Sequence, residues 1–296
     1  MCNGVNKVKS TNMEKMQISG EELKAIIVDI LSEIDKICKE NNLTYVLMYG
    51  TLLGAVRHKG FIPWDDDVDI AMPIEDYNKL IQIFNKVSGD KYFLQCVDTD
   101  KSYWLTYAKV RRIDTLFAEK NLRKRTGPKG IFVDIFPMFY LPERCENREI
   151  SKMVKKYQYL KGIACDKQNV EANYGRKVKI LAKLLPISSK RLLVKSTAKF
   201  SREKSERIIM PDDSNANMTE KYVFCAKDFF PTRDMVFEGK IFQGARNADA
   251  VLTQLYGDYM KLPPEEQRQT NHATDEIRFL SEEEINQLKR QIEENK

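Results

Sequence analysis

Trp64-Asp65-Asp66-Asp67-Val68-Asp69-Ile70 is the stretch on which the reading of this chain turns. Residues two apart on a strand share a face and lie roughly 6.5–7 Å apart. A strand over residues 67–71 therefore sends Asp67 and Asp69 to one face and Val68 and Ile70 into the core, and Asp65 joins them if extended backbone begins early enough. Carboxylates held this close raise one another's pKa. A divalent cation removes that cost, and hard oxygen ligands favour Mg²⁺ or Mn²⁺. A solvated acidic loop is the plainer reading, but the alternation with Val68 and Ile70 is that of a strand. A calcium loop starting at Asp65 needs glycine at its sixth position and glutamate at its twelfth, where this chain has Ile70 and Asp76.

Upstream, residues 45–49 read as a short buried strand closed by Gly50, and residues 51–58 as a short helix whose first turn begins at Thr51. A glycine there lets backbone approach a ligand closely, and free N–H groups at a helix start attract phosphate. Thr51 adds a hydroxyl donor. Downstream, Phe132-Val133-Asp134-Ile135-Phe136 sets one acid in an apolar strand, where a carboxylate is costly to bury without a partner. Strand, Gly-Thr turn, acid pair and later third acid: this order resembles that of the nucleotidyltransferase superfamily. Asp67, Asp69 and Asp134 are the candidate catalytic residues, and together with Asp65 the candidate metal ligands. For Asp134 the sequence leaves two roles open, metal ligand or general base.

Around this centre, Leu23, Ile26, Ile27, Ile30, Leu31, Ile34, Ile37 and Cys38 form one apolar stripe and predict a helix over 21–41. A second helix is expected over 75–87, and further strands over 103–110 and 131–136. Strands concentrate before residue 145. Residues 152–207 then hold 16 Lys/Arg against four acids, a segment of +12 within a chain of +6, so the remainder carries −6. That segment reads as helices broken near Gly162, Gly175 and Pro186, and a charged helix starts at Glu282. The expected fold class is α/β (α+β), a nucleotidyltransferase-like mixed-sheet core with a helical, basic C-terminal region. The expected division is a catalytic core at 20–145, a basic helical insertion at 146–225 and a region closing the site at 226–296.

Composition excludes several alternatives. The 296 residues hold only two histidines, His58 and His272, too few for a histidine-rich zinc site. Six cysteines stand singly with no C-x-x-C pair, which reads as reduced thiols in a cytoplasmic protein. The longest nearly apolar run, 45–56, is shorter than the ~20 residues that span a bilayer. The modest net charge does not point to nucleic acid as a partner.

The run from Gly50-Thr51-Leu52-Leu53-Gly54-Ala55-Val56-Arg57-His58-Lys59-Gly60-Phe61-Ile62-Pro63-Trp64 into the acids resembles the signature of the LicD family, bacterial phosphorylcholine transferases distantly related to fukutin-type ribitol-phosphate transferases. Lys109-Val110-Arg111 with Thr115, Val133-Asp134-Ile135-Phe136-Pro137, Tyr256-Gly257-Asp258-Tyr259-Met260-Lys261-Leu262-Pro263-Pro264-Glu265-Glu266 and His272 extend it over about 20–275. The resemblance implies metal-dependent transfer of phosphorylcholine from CDP-choline to a hydroxyl of a cell-surface glycan or its lipid-linked precursor, as in lipopolysaccharide, teichoic acid or capsule synthesis. Alternatives are a CDP-linked ribitol or glycerol phosphate donor and, further off, a nucleic-acid nucleotidyltransferase.

Within that resemblance, Gly50, Thr51, Arg57, His58, Lys109 and Arg111 are the expected donor and phosphate contacts. Trp64, Tyr256, Asp258 and His272 are expected to close the site. Trp64, Tyr103, Trp104 and Tyr107 are candidates for an aromatic choline cage, although ordinary core packing is the commoner fate of such residues. The basic segment offers a peripheral contact with the anionic inner face of the cytoplasmic membrane. Gln243-Gly244-Ala245-Arg246 departs from relatives that carry a proline turn there, and the cysteine-rich zinc loop of animal relatives is absent from the sequence.

Overall fold

The computed structural model describes residues 17–101, 103, 105–119, 127–164, 180, 184, 204–211, 219–270, 272 and 274–295. Most of the basic segment, and with it the helix and membrane contact expected around 178–185, lies outside the described residues.

Helix α1 (Gly20–Glu40) follows from its stripe: all eight apolar residues named above are buried. Ser19 and Glu22 cap its first turn reciprocally, each side chain bonding the other's backbone N–H, and Asn41 ends it. The chain then forms β1 (Val46–Leu47), α2 (Tyr49–Arg57), β2 (Asp69–Pro73) and α3 (Ile74–Val87). Strands β3 (Tyr92–Gln95), β4 (Ala108–Arg112), β5 (Thr115–Glu119) and β6 (Phe132–Tyr140) follow. After α4 (Asn147–Ala164) come β7 (Arg207–Ile209), β8 (Val223–Cys225), the hairpin β9 (Arg233–Phe237) and β10 (Lys240–Gly244), α5 (Ala248–Tyr256), β11 (Thr274–Phe279) and α6 (Glu282–Glu294).

The central sheet is mixed, in the order β1-β2-β6-β4-β3, with β7 continuing from β6 and β8 from β7. Among the described strands of this sheet, only the β2–β6 pairing is parallel. All nine residues of β6 are buried, as a strand flanked on both edges and covered on both faces requires. The observed class is therefore mixed α/β, as expected, and no described helix is long and apolar enough to cross a membrane.

Several boundaries differ from expectation. Strand β2 begins at Asp69 rather than Asp67, because Asp65 N–H closes a turn onto the Ile62 carbonyl (2.9 Å) and ladder pairing starts only beyond it. Helix α2 begins at Tyr49, not Thr51, so Gly50 lies in its first turn. The strand expected over 103–110 is displaced to β4. Strands do not stop at residue 145: β7 and β8 join the main sheet, β11 pairs β5, and β9–β10 form a separate hairpin. Three of the four described cysteines, Cys38, Cys96 and Cys145, are buried free thiols, whereas Cys225 is exposed.

Candidate functional site

Three neighbouring strands bring charged side chains into one row. Asp69 on β2 is the parallel register partner of Asp134 on β6, and Asp134 is the antiparallel partner of Lys109 on β4, itself opposite Gln95 on β3. Partners in adjacent strands project to the same face of a sheet. Lys109 Nζ reaches both oxygens of Asp134, at 2.6 and 2.8 Å, and sits 3.5 Å from the centre of the Phe132 ring. Both side chains are less than a tenth exposed. Burial raises the Asp134 carboxyl above the ordinary carboxylate range, and the contacts with Lys109 work against that rise.

The loop entering β2 supplies the second group. One carboxylate oxygen from each of Asp65, Asp66 and Asp67 lies within 4.8 Å of the others. Burial pushes the Asp65 carboxyl up to about 7, with the charge of Asp67, a hydrogen bond to it and the charge of Asp66 adding to the rise. Asp65 is accommodated by the absence of a side chain on Gly50, since a Cβ there would stand 2.7 Å from Asp65 Oδ2. The Gly-Thr turn is thus a steric and structural device as well as a helix start. The Thr51 hydroxyl accepts the Asp69 N–H at 2.8 Å, tying α2 to the strand of acids. A Cβ on Gly54 would collide with the Gly60 carbonyl, so α2 lies directly on the turn that leads into the acids.

His272 reaches this loop from the far end of the chain. Its Nδ1 lies 3.0 Å from Asp66 Oδ1 and 3.9 Å from Asp67 Oδ2, and its Nε2 lies 3.8 Å from Glu119 Oε1. The rings of Phe117 and Phe132 flank the imidazole edge to face. Burial alone would lower its pKa, but the Asp66 hydrogen bond and the charges of Asp67 and Glu119 raise it above the usual value. Glu119 escaped the sequence reading. Its signal was the alternation Thr115-Phe117-Glu119, which places the acid on the inward face of β5.

The other expected contacts take varied positions. Arg57 donates through Nη1 to the Tyr259 carbonyl and through Nε to His58 Nε2, both at 2.9 Å. Burial, then the Arg57 charge, lowers the His58 pKa. Arg111 is buried, donating to Gln95 Oε1 at 2.6 Å and to the Gly130 carbonyl at 2.9 Å, while Gln95 donates on to Asp100. Tyr256, the last residue of α5, and Asp258, just beyond it, are exposed, and the Tyr259 carbonyl accepts from Arg57 at the end of α2. Trp64 is half-buried beneath the Arg268 guanidinium, Tyr103 is buried, and Tyr107 packs against Phe136 with ring centres 4.5 Å apart. Trp104 lies outside the described residues.

Hard oxygen donors gathered on one loop, one with a raised pKa, fit a divalent cation such as Mg²⁺ or Mn²⁺. The family model described as "LicD/FKTN/FKRP, nucleotidyltransferase domain" matches residues 42–164, which contain all the acids and the row behind them. The chain is 29% identical over 269 residues to the lipopolysaccharide cholinephosphotransferase LicD of Haemophilus influenzae, a match covering 88% of this chain and 97% of that protein. An uncharacterized protein of Rickettsia prowazekii is 30% identical over half of each chain (50% and 51%). The mannosyltransferase regulator 4 of Saccharomyces cerevisiae is 28% identical over 30% of this chain and 8% of its own. Residues 42–164, from the start of the sheet to the end of α4, thus belong to the LicD/FKTN/FKRP nucleotidyltransferase domain family.

Proposed function

We propose that this chain transfers phosphocholine from CDP-choline to a hydroxyl of a lipopolysaccharide-type glycan, with a divalent cation at the acid loop. The observation that carries the reading is the gathering of Asp65, Asp66 and Asp67 beside the Gly50 turn, in a chain aligned with a cholinephosphotransferase over nearly its whole length. Asp65, Asp66 and Asp67 would hold the cation, with Asp69 two residues further along, at the start of β2. When bound, the cation supplies neutralisation of diphosphate charge.

The remaining work falls to the chain. Phosphoryl-type transfers depend on positioning and charge stabilisation more than on covalent help from the protein. The acceptor oxygen bonds to the phosphorus that bears choline, the bond from that phosphorus to the CMP oxygen breaks, and CMP departs with the electron pair. Asp134 takes the acceptor proton. It stands outside the three-oxygen cluster, and Lys109 fixes the direction of its carboxylate. Lys109 and Arg111 act in this reading through the carboxylate row rather than as free phosphate clamps. His272 holds the acid loop from the C-terminal part of the chain, with Glu119 facing its other ring nitrogen.

A donor screen tests the reading: purified protein with Mg²⁺ or Mn²⁺ is offered CDP-choline, CDP-ribitol and CDP-glycerol, and CMP release is measured. CMP release confined to CDP-choline, abolished by Asp67→Ala and by Asp69→Ala, is expected. Preference for another CDP-linked compound, or near-normal turnover in both variants, overturns it.

A further inference from the structure

A cavity of about 630 Å³ opens at the other end of the β2–β6 pair from the acids. Pro73, the last residue of β2, and Tyr140, the last of β6, both line it. Tyr140 stands six residues beyond Asp134 on β6, about 20 Å away at the rise of an extended chain. The cavity is therefore distinct from the site described above.

Tyr140 is 6% exposed, and its hydroxyl makes no hydrogen bond to another described residue but is not sealed from solvent, so it is free to bond a ligand in the cavity. Burial, then the nearby charges of Glu75 and Asp76, raises its pKa, so the hydroxyl remains a neutral donor at physiological pH. Asp76 is already engaged, accepting the Thr44 N–H and pairing with Lys79 at 3.5 Å. Glu75, Lys204 and Lys227 line the same cavity with no ion-pair partner among the described residues, leaving a net positive lining. Phe230 contributes an aromatic surface.

Scattered donors and acceptors around an aromatic surface suit a polyhydroxylated ring, whose hydroxyls both donate and accept and whose C–H face packs on an arene. Two unpaired ammonium groups call for an anionic substituent on it. We propose that this cavity binds an acidic saccharide, carrying phosphate or carboxylate, through the Tyr140 hydroxyl and the Lys204 and Lys227 ammonium groups. It serves as a distal subsite for the glycan acceptor. The acceptor role rests on the phosphocholine-transfer reading, whereas saccharide binding does not.

Calorimetric titration of the full chain with glucose 6-phosphate, glucuronate, glucose and inorganic phosphate tests the proposal. Both acidic sugars are expected to bind at least about tenfold more tightly than glucose or phosphate alone. Lys204→Gln/Lys227→Gln, a change at two exposed side chains, removes the preference for acidic sugars. Tyr140→Phe, which keeps the ring, weakens all the sugars severalfold. Asp67→Asn binds them like the parent while releasing no CMP, so a failure of the transferase reading leaves the binding result standing. Acidic-sugar binding that ignores both cavity variants, phosphate bound as tightly as its sugar ester, or no sugar binding at all overturns the proposal.

Discussion

Asp65 occupies the space that a side chain on Gly50 would fill: a Cβ at that position would stand 2.7 Å from Asp65 Oδ2. The glycine and the first acid, fifteen residues apart in sequence, are one steric unit. Gly50→Ala is therefore expected to push the Asp65 carboxylate out of the cluster while leaving the fold intact. Displacements near 1 Å in an active centre cost up to about 100-fold in rate. CMP release should fall by about 10- to 100-fold with a melting temperature close to the parent's, and unchanged turnover would show that Asp65 does not need its observed position.

Lys109 and Asp134 form a buried ion pair, and breaking one side of such a pair strands the other charge. Lys109→Met is expected to destabilise the protein by about 3–5 kcal/mol in denaturant unfolding. The double variant Lys109→Met/Asp134→Leu should recover most of that stability, because no unpaired charge is left buried, but none of the activity. A single variant as stable as the parent would mean that water reaches Asp134 freely.

Metal affinity should depend on pH through Asp65. Its carboxyl, raised to about 7 without metal, must lose its proton to become a full ligand. Below that value a proton competes with the cation, so Mn²⁺ should bind about tenfold more tightly at pH 8 than at pH 6, with proton release at the lower pH. Asp65→Asn should bind more weakly and flatten this dependence. An affinity independent of pH in the parent would contradict it.

Glu284 joins α6 to β11. It accepts two Arg278 hydrogen bonds, at 2.6 and 2.9 Å, and completes a capping box with Ser281. The Arg278 guanidinium is the largest influence holding the Glu284 carboxyl low, to about 2. A depressed folded-state pKa stabilises above the unfolded value near 4.5, and that contribution disappears as pH falls from there through about 2. The pair is over a third exposed on the glutamate side, so screening limits its worth. Glu284→Gln, which can keep the capping box, should cost about 0.5 kcal/mol at pH 7 through the lost ion pair, and the difference from the parent should shrink at pH 2. A difference that is constant across this range would show that the ion pair contributes nothing.

Local periodicity made α1 legible, since its eight stripe residues are the ones buried, and it identified Val68 and Ile70 as core beside more exposed acids. The residue types of the site were equally plain: a run of carboxylates needs compensation wherever it sits. Which acid meets which partner was not contained in any local pattern. Lys109 and Arg111, read as phosphate contacts, are buried because β4 pairs β6 in the register that sets Lys109 against Asp134, 25 residues away. Similarly, His272 comes to the acid loop and meets Glu119 only once β11 has paired with β5. The sequence by itself determined the periods, the charges and the turn at Gly50. Tertiary structure decided register and proximity, because strand pairing is a non-local choice made by the packing of the whole sheet.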